Sequence, residues 1–151
     1  MPSVVLYQPE IPQNTGNVSR TCAATGTPLH LIEPLGFELS DKYLKRAGLD
    51  YWDRLELRVH KSFGDFMETC RPRSLAALST KGGRIYTDVR FEPDVFLLFG
   101  RETSGLTDEL YKTLELLRIP MRPGLRSLNL SNAVALVLYE ALRQTGFVGL
   151  D

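Results

Sequence analysis

Cysteine and histidine are nearly missing from this chain: Cys22 and Cys70, His30 and His60 are the whole supply. One disulfide at most could form, and cytosolic thiols stay reduced, so both cysteines are expected as small buried residues. The histidines fall in apolar runs away from either cysteine, no recognisable ligand spacing emerges, and no metal is expected. A surplus of charge is missing as well. The 18 basic and 18 acidic residues cancel, which counts against a uniformly basic nucleic-acid surface. No apolar run approaches the roughly 20 residues that span a bilayer. The first ten residues, MPSVVLYQPE, lack the basic start and long apolar core of a signal peptide. A soluble cytoplasmic protein is the expectation. Three chemistries drop out for want of their loops. There is no GxxxxGK[ST], no GxGxxG after the first apolar run, and GRETSG (100–105) is not a GxSxG elbow. A P-loop nucleotidase, a standard dinucleotide-dependent oxidoreductase and a serine hydrolase all lack support.

Apolar content of 43% with 24% charged residues over 151 positions fits one globular domain, burying about two-thirds of the surface its unfolded chain exposes. Short apolar runs alternate with helical segments, the pattern of an α/β fold with a mostly parallel sheet flanked by helices. Strands are expected at 4–7, 29–32, 56–60, 74–78, 94–100 and 116–120, and helices at 16–25, 41–47, 63–70, 107–113 and 131–145. Gly26 and Gly146 stand where a helix end needs a left-handed residue. The last helix reads AVALVLYEAL over 133–142, with Glu140 its only charge. A helix apolar on nearly every side must be covered nearly everywhere. The sheet covers one side and a second subunit the other, with Val137 and Tyr139 at the contact; a central core helix within one subunit is the alternative. Lys42, Lys45, Arg46, Arg54, Arg58 and Lys61 fall close together, interleaved with Asp41, Asp50, Asp53 and Glu56. They form either a solvated face or a local patch for nucleic acid.

Three polar loops follow strands: PEIPQNTGN (9–17), GRETSGL (100–106) and PMRPGLRSLNLSN (120–132). In open α/β sheets ligands sit at the carboxyl ends of strands. The first loop holds two prolines, two asparagines and a glycine, more than a strand-to-helix connection requires. Arg20 follows inside the helix, among small residues.

These motifs, with LHLIEPLGF (29–37), RAGLDYW (46–52) and RIPMRPGLRSLNLSNAV (118–134), resemble the SPOUT superfamily of S-adenosylmethionine-dependent RNA methyltransferases. The match is to its compact branch, which methylates the wobble-nucleotide ribose of tRNA. The resemblance covers nearly the whole chain. It implies one methyltransferase domain over 1–151, a C-terminal trefoil knot, a homodimer, and the tRNA anticodon stem-loop as partner. S-adenosylhomocysteine is the implied product. Methylation at another tRNA or rRNA position, or a non-catalytic RNA-binding module, are the alternatives. By position, the implied cofactor pocket is Leu78, Gly100, Ile119, Met121, Ser127 and Leu128, and the implied catalytic set is Asn14, Arg20, Glu102, Ser127 and Asn129. Apolar faces suit adenine, and Gly100 lets the backbone approach without a Cβ. The helix start and Arg20 together read as a seat for an RNA phosphate; a surface ion-pair partner is the other reading of Arg20. Asn14 is expected to hold its loop, Ser127 and Asn129 to act from the cofactor side, and the role of Glu102 stays open.

Overall fold

The structure, a computed structural model, describes residues 1–40, 42, 44, 46 and 49–151. Among these residues, seven strands form one sheet: β1 Ser3–Tyr7, β2 Leu29–Ile32, β3 Leu57–His60, β4 Leu75–Leu78, β5 Arg84–Ile85, β6 Phe96–Phe99 and β7 Leu116–Arg118. Their order is β3-β2-β1-β6-β4-β7-β5, and every neighbouring pair is parallel. The helices are α1 Pro12–Thr25, α2 Phe63–Cys70, α3 Asp108–Thr113 and α4 Leu130–Gln144. Short 3-10 helices lie at Leu49–Arg54 and Tyr86–Asp88. None of the described helices is long and apolar enough to cross a membrane.

A parallel sheet is covered on both faces, so its central strands read as unbroken apolar runs. In β1 (SVVLY) every residue is buried. Successive side chains leave a strand on opposite faces, and the core divides accordingly. Val4, Leu6, Leu97 and Phe99 pack with Val18 and Cys22 of α1 and with Val134, Val137 and Leu138 of α4. Val5, Tyr7 and Leu98 pack on the other face with Phe66 of α2 and Leu110 of α3.

The helix α4 buries Leu130, Val134, Val137, Leu138, Ala141 and Leu142, a 3.6-periodic stripe. This corrects the expectation for one of its two interface candidates, Val137, and leaves Tyr139 available. Val137 is fully buried within its own chain. Tyr139 and Leu136, 46% and 45% exposed, face outward. The helix α1 also starts earlier than the expected residue 16. Pro12 stands at its first position, where a missing N–H costs nothing and the ring fixes a helical φ. The helix ends at Gly26, whose φ of 67° is the left-handed conformation a Cβ disfavours. The expected helix at 41–47 falls largely outside the described residues, as does Lys45.

The chain runs β1, β2, β3 outward in one direction and then continues on the other side of β1. The sheet therefore has a switch point between β1 and β6, the usual position of a ligand crevice. The carboxyl ends of β1, β6, β4 and β7 come side by side there.

Candidate functional site

At those strand ends lies a cavity of about 480 Å³, within the range of small-molecule sites. Leu78, Gly100, Ile119, Met121, Ser127 and Leu128 all line it, as do Asn14, Glu102 and Asn129. A fourth loop joins them. Residues 79–81, after β4, form part of the wall; the turn STKGG (79–83) was its signal in the sequence. Lys81 lies with its ammonium 4.6 Å from the centre of the Tyr111 ring, and both line the cavity.

Glycine is required at one point of the wall. A Cβ on Gly100 would come within 2.6 Å of the Leu106 backbone nitrogen. The loop folds this tightly because Arg101 and Gly105 exchange backbone hydrogen bonds of 3.0 and 2.9 Å, with Gly105 at φ 67°. The turn carries Glu102 to the start of α1.

Glu102 has a structural task that local sequence cannot show. Its carboxylate accepts the backbone N–H of Glu10 at 2.8 Å and of Ile11 at 3.1 Å. Ile11 is the residue at the head of α1, and its side chain provides no cap. Glu102 thus places a negative charge at the positive end of the helix. The clamp is reciprocal, since the Glu10 carboxylate accepts the Thr103 hydroxyl at 2.8 Å and its N–H at 3.3 Å.

The amides extend this network to the third loop. Asn129 caps α4: its Oδ1 accepts the N–H groups of Ser131 and Asn132 at 2.9 and 3.4 Å. Its Nδ2 is left to donate to Asn14 Oδ1, at 2.9 Å. The Asn14 amide nitrogen in turn points to Glu102 Oε1 at 3.5 Å. Each amide thus has one end committed, which fixes its orientation. The three loops named from the sequence are tied together through Asn129, Asn14 and Glu102.

Arg20 lies apart from this network. It is exposed and absent from the cavity wall, and its guanidinium carbon sits 5.1 Å from the centre of the Tyr51 ring. With α1 starting at Pro12, Arg20 is about 12 Å along the axis from the helix head rather than one turn inside. The expected seat combining helix start and Arg20 is therefore two separate places, the first already holding the Glu102 carboxylate. That carboxylate comes from 92 residues away in sequence, out of reach of any local motif.

The structure also overturns the separation of the histidines from cysteine. His30 Nδ1 and His60 Nε2 are 2.9 Å apart, and Cys70 Sγ lies 3.7 and 3.9 Å from them. In the β2–β3 register His30 stands opposite Arg58, so His60, two residues on, shares its face. The helix α2 then returns Cys70 to the same place. Burial first, then the charges of His60 and Arg58, lowers the His30 pKa to about 4. Burial also lowers that of His60, against the opposing pull of Asp65. Cys22, closed in the core, has its thiol pushed up to about 12 by burial.

The profile of the SpoU rRNA Methylase family matches residues 1–139. The chain is 51% identical to the tRNA (cytidine(34)-2'-O)-methyltransferase of Saccharophagus degradans, over 97% of both chains. It is similar to a structure solved for the 2-OH methylation of C/U34 on tRNA, with a TM-score of 0.94 and 52% identity over 97% of both chains. A SpoU methyltransferase from Streptomyces viridochromogenes, in complex with the cofactor AdoMet, superposes with a TM-score of 0.87. It is 27% identical, over 96% of this chain and 60% of that one.

Proposed function

The chain belongs to the SpoU rRNA methylase family, and from that premise we propose that it methylates the 2′-hydroxyl of the wobble nucleotide, cytidine or modified uridine at position 34, in tRNA. S-adenosylmethionine is the methyl donor and S-adenosylhomocysteine the product. The reading rests on near-full-length likeness to a relative named for this reaction. The cavity supports it. Leu78, Ile119, Met121 and Leu128 offer apolar faces for an adenine ring, while Ser127 and Asn129 add polar groups in the same wall.

Bound there, S-adenosylmethionine supplies a methyl group on a sulfonium, already a strong electrophile. The protein's share is then to position the ribose oxygen. Ser127 and Asn129 act from the cofactor side. Asn14 and Glu102 hold the first and second loops in register with the third through the hydrogen bonds described above. Arg20 acts from the RNA side: its planar fork orients the 2′-hydroxyl and the adjoining phosphate. With a pKa above about 12 a guanidinium is a poor general base, so Arg20 orients and does not abstract.

The anticodon stem-loop is the part of tRNA this reading assigns to the protein, and a homodimer is the assembly. Leu136, Tyr139, Phe147 and Val148 are exposed on and just beyond α4, and the rings of Tyr139 and Phe147 lie 6.5 Å apart. In this reading a second copy covers this apolar surface, and the exposed Lys42, Arg46 and Arg54 serve the RNA. A single domain over 1–151, the trefoil knot and a cytoplasmic location belong to the same reading.

Incubating the protein with methyl-labelled S-adenosylmethionine and tRNA, then mapping 2′-O-methyl groups, tests this. Label at position 34, abolished when that nucleotide is 2′-deoxy, is the expected result. Label at another tRNA position or only in rRNA would replace the target, and no transfer to any RNA would reduce the chain to a binding module.

A further inference from the structure

We propose that His30, His60 and Cys70 form a binding site for one thiophilic divalent ion, Zn²⁺, which staples the edge strand β3 to β2 and α2. None of the three lines the cavity, so the methyl-transfer reading neither uses nor explains them. They are brought together from three elements: His30 on β2, His60 on β3 and Cys70 at the end of α2.

The donor set and its spacing fit the ion. Two imidazoles, one thiolate and an open fourth position is a composition Zn²⁺ accepts. With Zn–N near 2.0 Å and Zn–S near 2.3 Å, tetrahedral ligand atoms lie about 3.3 Å (N to N) and about 3.5 Å (N to S) apart. Here the nitrogens are 2.9 Å apart and the sulfur is 3.7 and 3.9 Å from them. Rotations of a few tenths of an ångström bring all three onto one ion. Without the ion, one imidazole N–H donates to the other ring. With it, that proton moves to the other nitrogen of its own ring and the Cys70 thiol proton leaves, so the site carries two neutral imidazoles and one thiolate.

The surroundings of His60 point the same way. Its Nε2 faces His30, and its Nδ1 faces Asp65 Oδ2 at 4.0 Å. A carboxylate behind the second ring nitrogen favours the proton there and leaves a lone pair toward the ion. Asp65 is itself held, accepting the Lys61 N–H at 2.9 Å and the Thr69 hydroxyl at 3.4 Å. Phe66 meets both imidazoles edge-on, with centroids at 5.9 and 5.4 Å, and Phe96 meets His30 at 5.4 Å. These rings wall the site off from water on the core side, while half-buried Cys70 leaves a path from solvent.

The test uses the chelator-stripped full chain titrated with Co²⁺, whose spectrum reports thiolate ligation and tetrahedral geometry. Saturation at one Co²⁺ per chain, with a near-ultraviolet thiolate charge-transfer band, and displacement by one equivalent of Zn²⁺ are expected. Cys70→Ser should abolish the band and weaken binding roughly 100-fold or more, and Asp65→Asn should weaken it about 10- to 100-fold. Cys22→Ala should leave the spectrum unchanged. Absence of a saturable thiolate band in the unaltered chain overturns the proposal, whatever the variants do. So does a folded Cys70→Ser chain, judged by its melting transition, that binds Co²⁺ as the unaltered one does.

Discussion

Glu102 and Arg20 divide the work of the first helix between them. The carboxylate of Glu102 satisfies two backbone N–H groups at the head of α1 and touches Asn14. Glu102→Gln keeps the shape but loses the charge, replacing charge-assisted hydrogen bonds by neutral ones. We expect a stability loss of about 1–2 kcal/mol in urea unfolding. A larger proportional loss is expected in S-adenosylhomocysteine affinity, read by calorimetry, because the second loop would no longer be tied to Asn14 and Asn129. Unchanged values in both measurements would remove Glu102 from the site. Arg20 is the opposite case, exposed and outside the cavity. For Arg20→Ala, single-turnover methyl transfer to tRNA at saturating cofactor should fall roughly 100-fold, about 2.7 kcal/mol of transition-state stabilisation. Cofactor affinity should stay within about two-fold. Arg20→Lys should also be impaired, since it keeps the charge but loses the fork. Transfer within a few-fold of wild type in the Ala variant would make Arg20 an ordinary surface arginine resting on Tyr51.

At the scale of elements, α4 separates two properties that its composition blends. Its stripe of Val134, Val137, Leu138 and Ala141 faces the sheet and α1, whereas Leu136 and Tyr139 face out. Val137→Ala should therefore lower stability by about 1–3 kcal/mol through the cavity it leaves, with no change in oligomeric state. Tyr139→Glu should leave the fold intact and turn a dimer into a monomer, because a charge set into an apolar contact lacks a partner. Sedimentation velocity with thermal melts of both variants checks the pair. A wild-type chain that sediments as a monomer at micromolar concentration would dispose of the dimer.

The whole molecule brings strand ends far apart in sequence to one cavity, and no unfolded chain can present such a wall. S-adenosylhomocysteine should consequently bind only the folded state. At about 100 times its dissociation constant it should add about 2.7 kcal/mol of stability and raise the melting temperature by about 5–10 °C in a chain of this size. NAD should produce no shift, since the chain lacks the glycine fingerprint that seats its pyrophosphate. Differential scanning fluorimetry with both compounds measures the contrast, and an equal shift with NAD would put the cavity's assignment in error.

Sequence alone determined the strands with long apolar runs, because a buried parallel strand must be apolar along its whole length. It also determined the polar loops after them, whose prolines, glycines and amides have no place inside a strand. The two-residue β5 left no such run, and the head of α1, beginning Pro12, Gln13, has no apolar periodicity to mark it. The remainder was decided by tertiary structure. Glu102 reaches the head of α1 across 92 residues, and Asn129 reaches Asn14 across 115. Cys70 meets two histidines because the β2–β3 register and the return of α2 place them together. Local preferences act over a few residues, whereas a hydrogen bond or a ligand cluster depends on distance in space. Only the packed sheet turns one into the other.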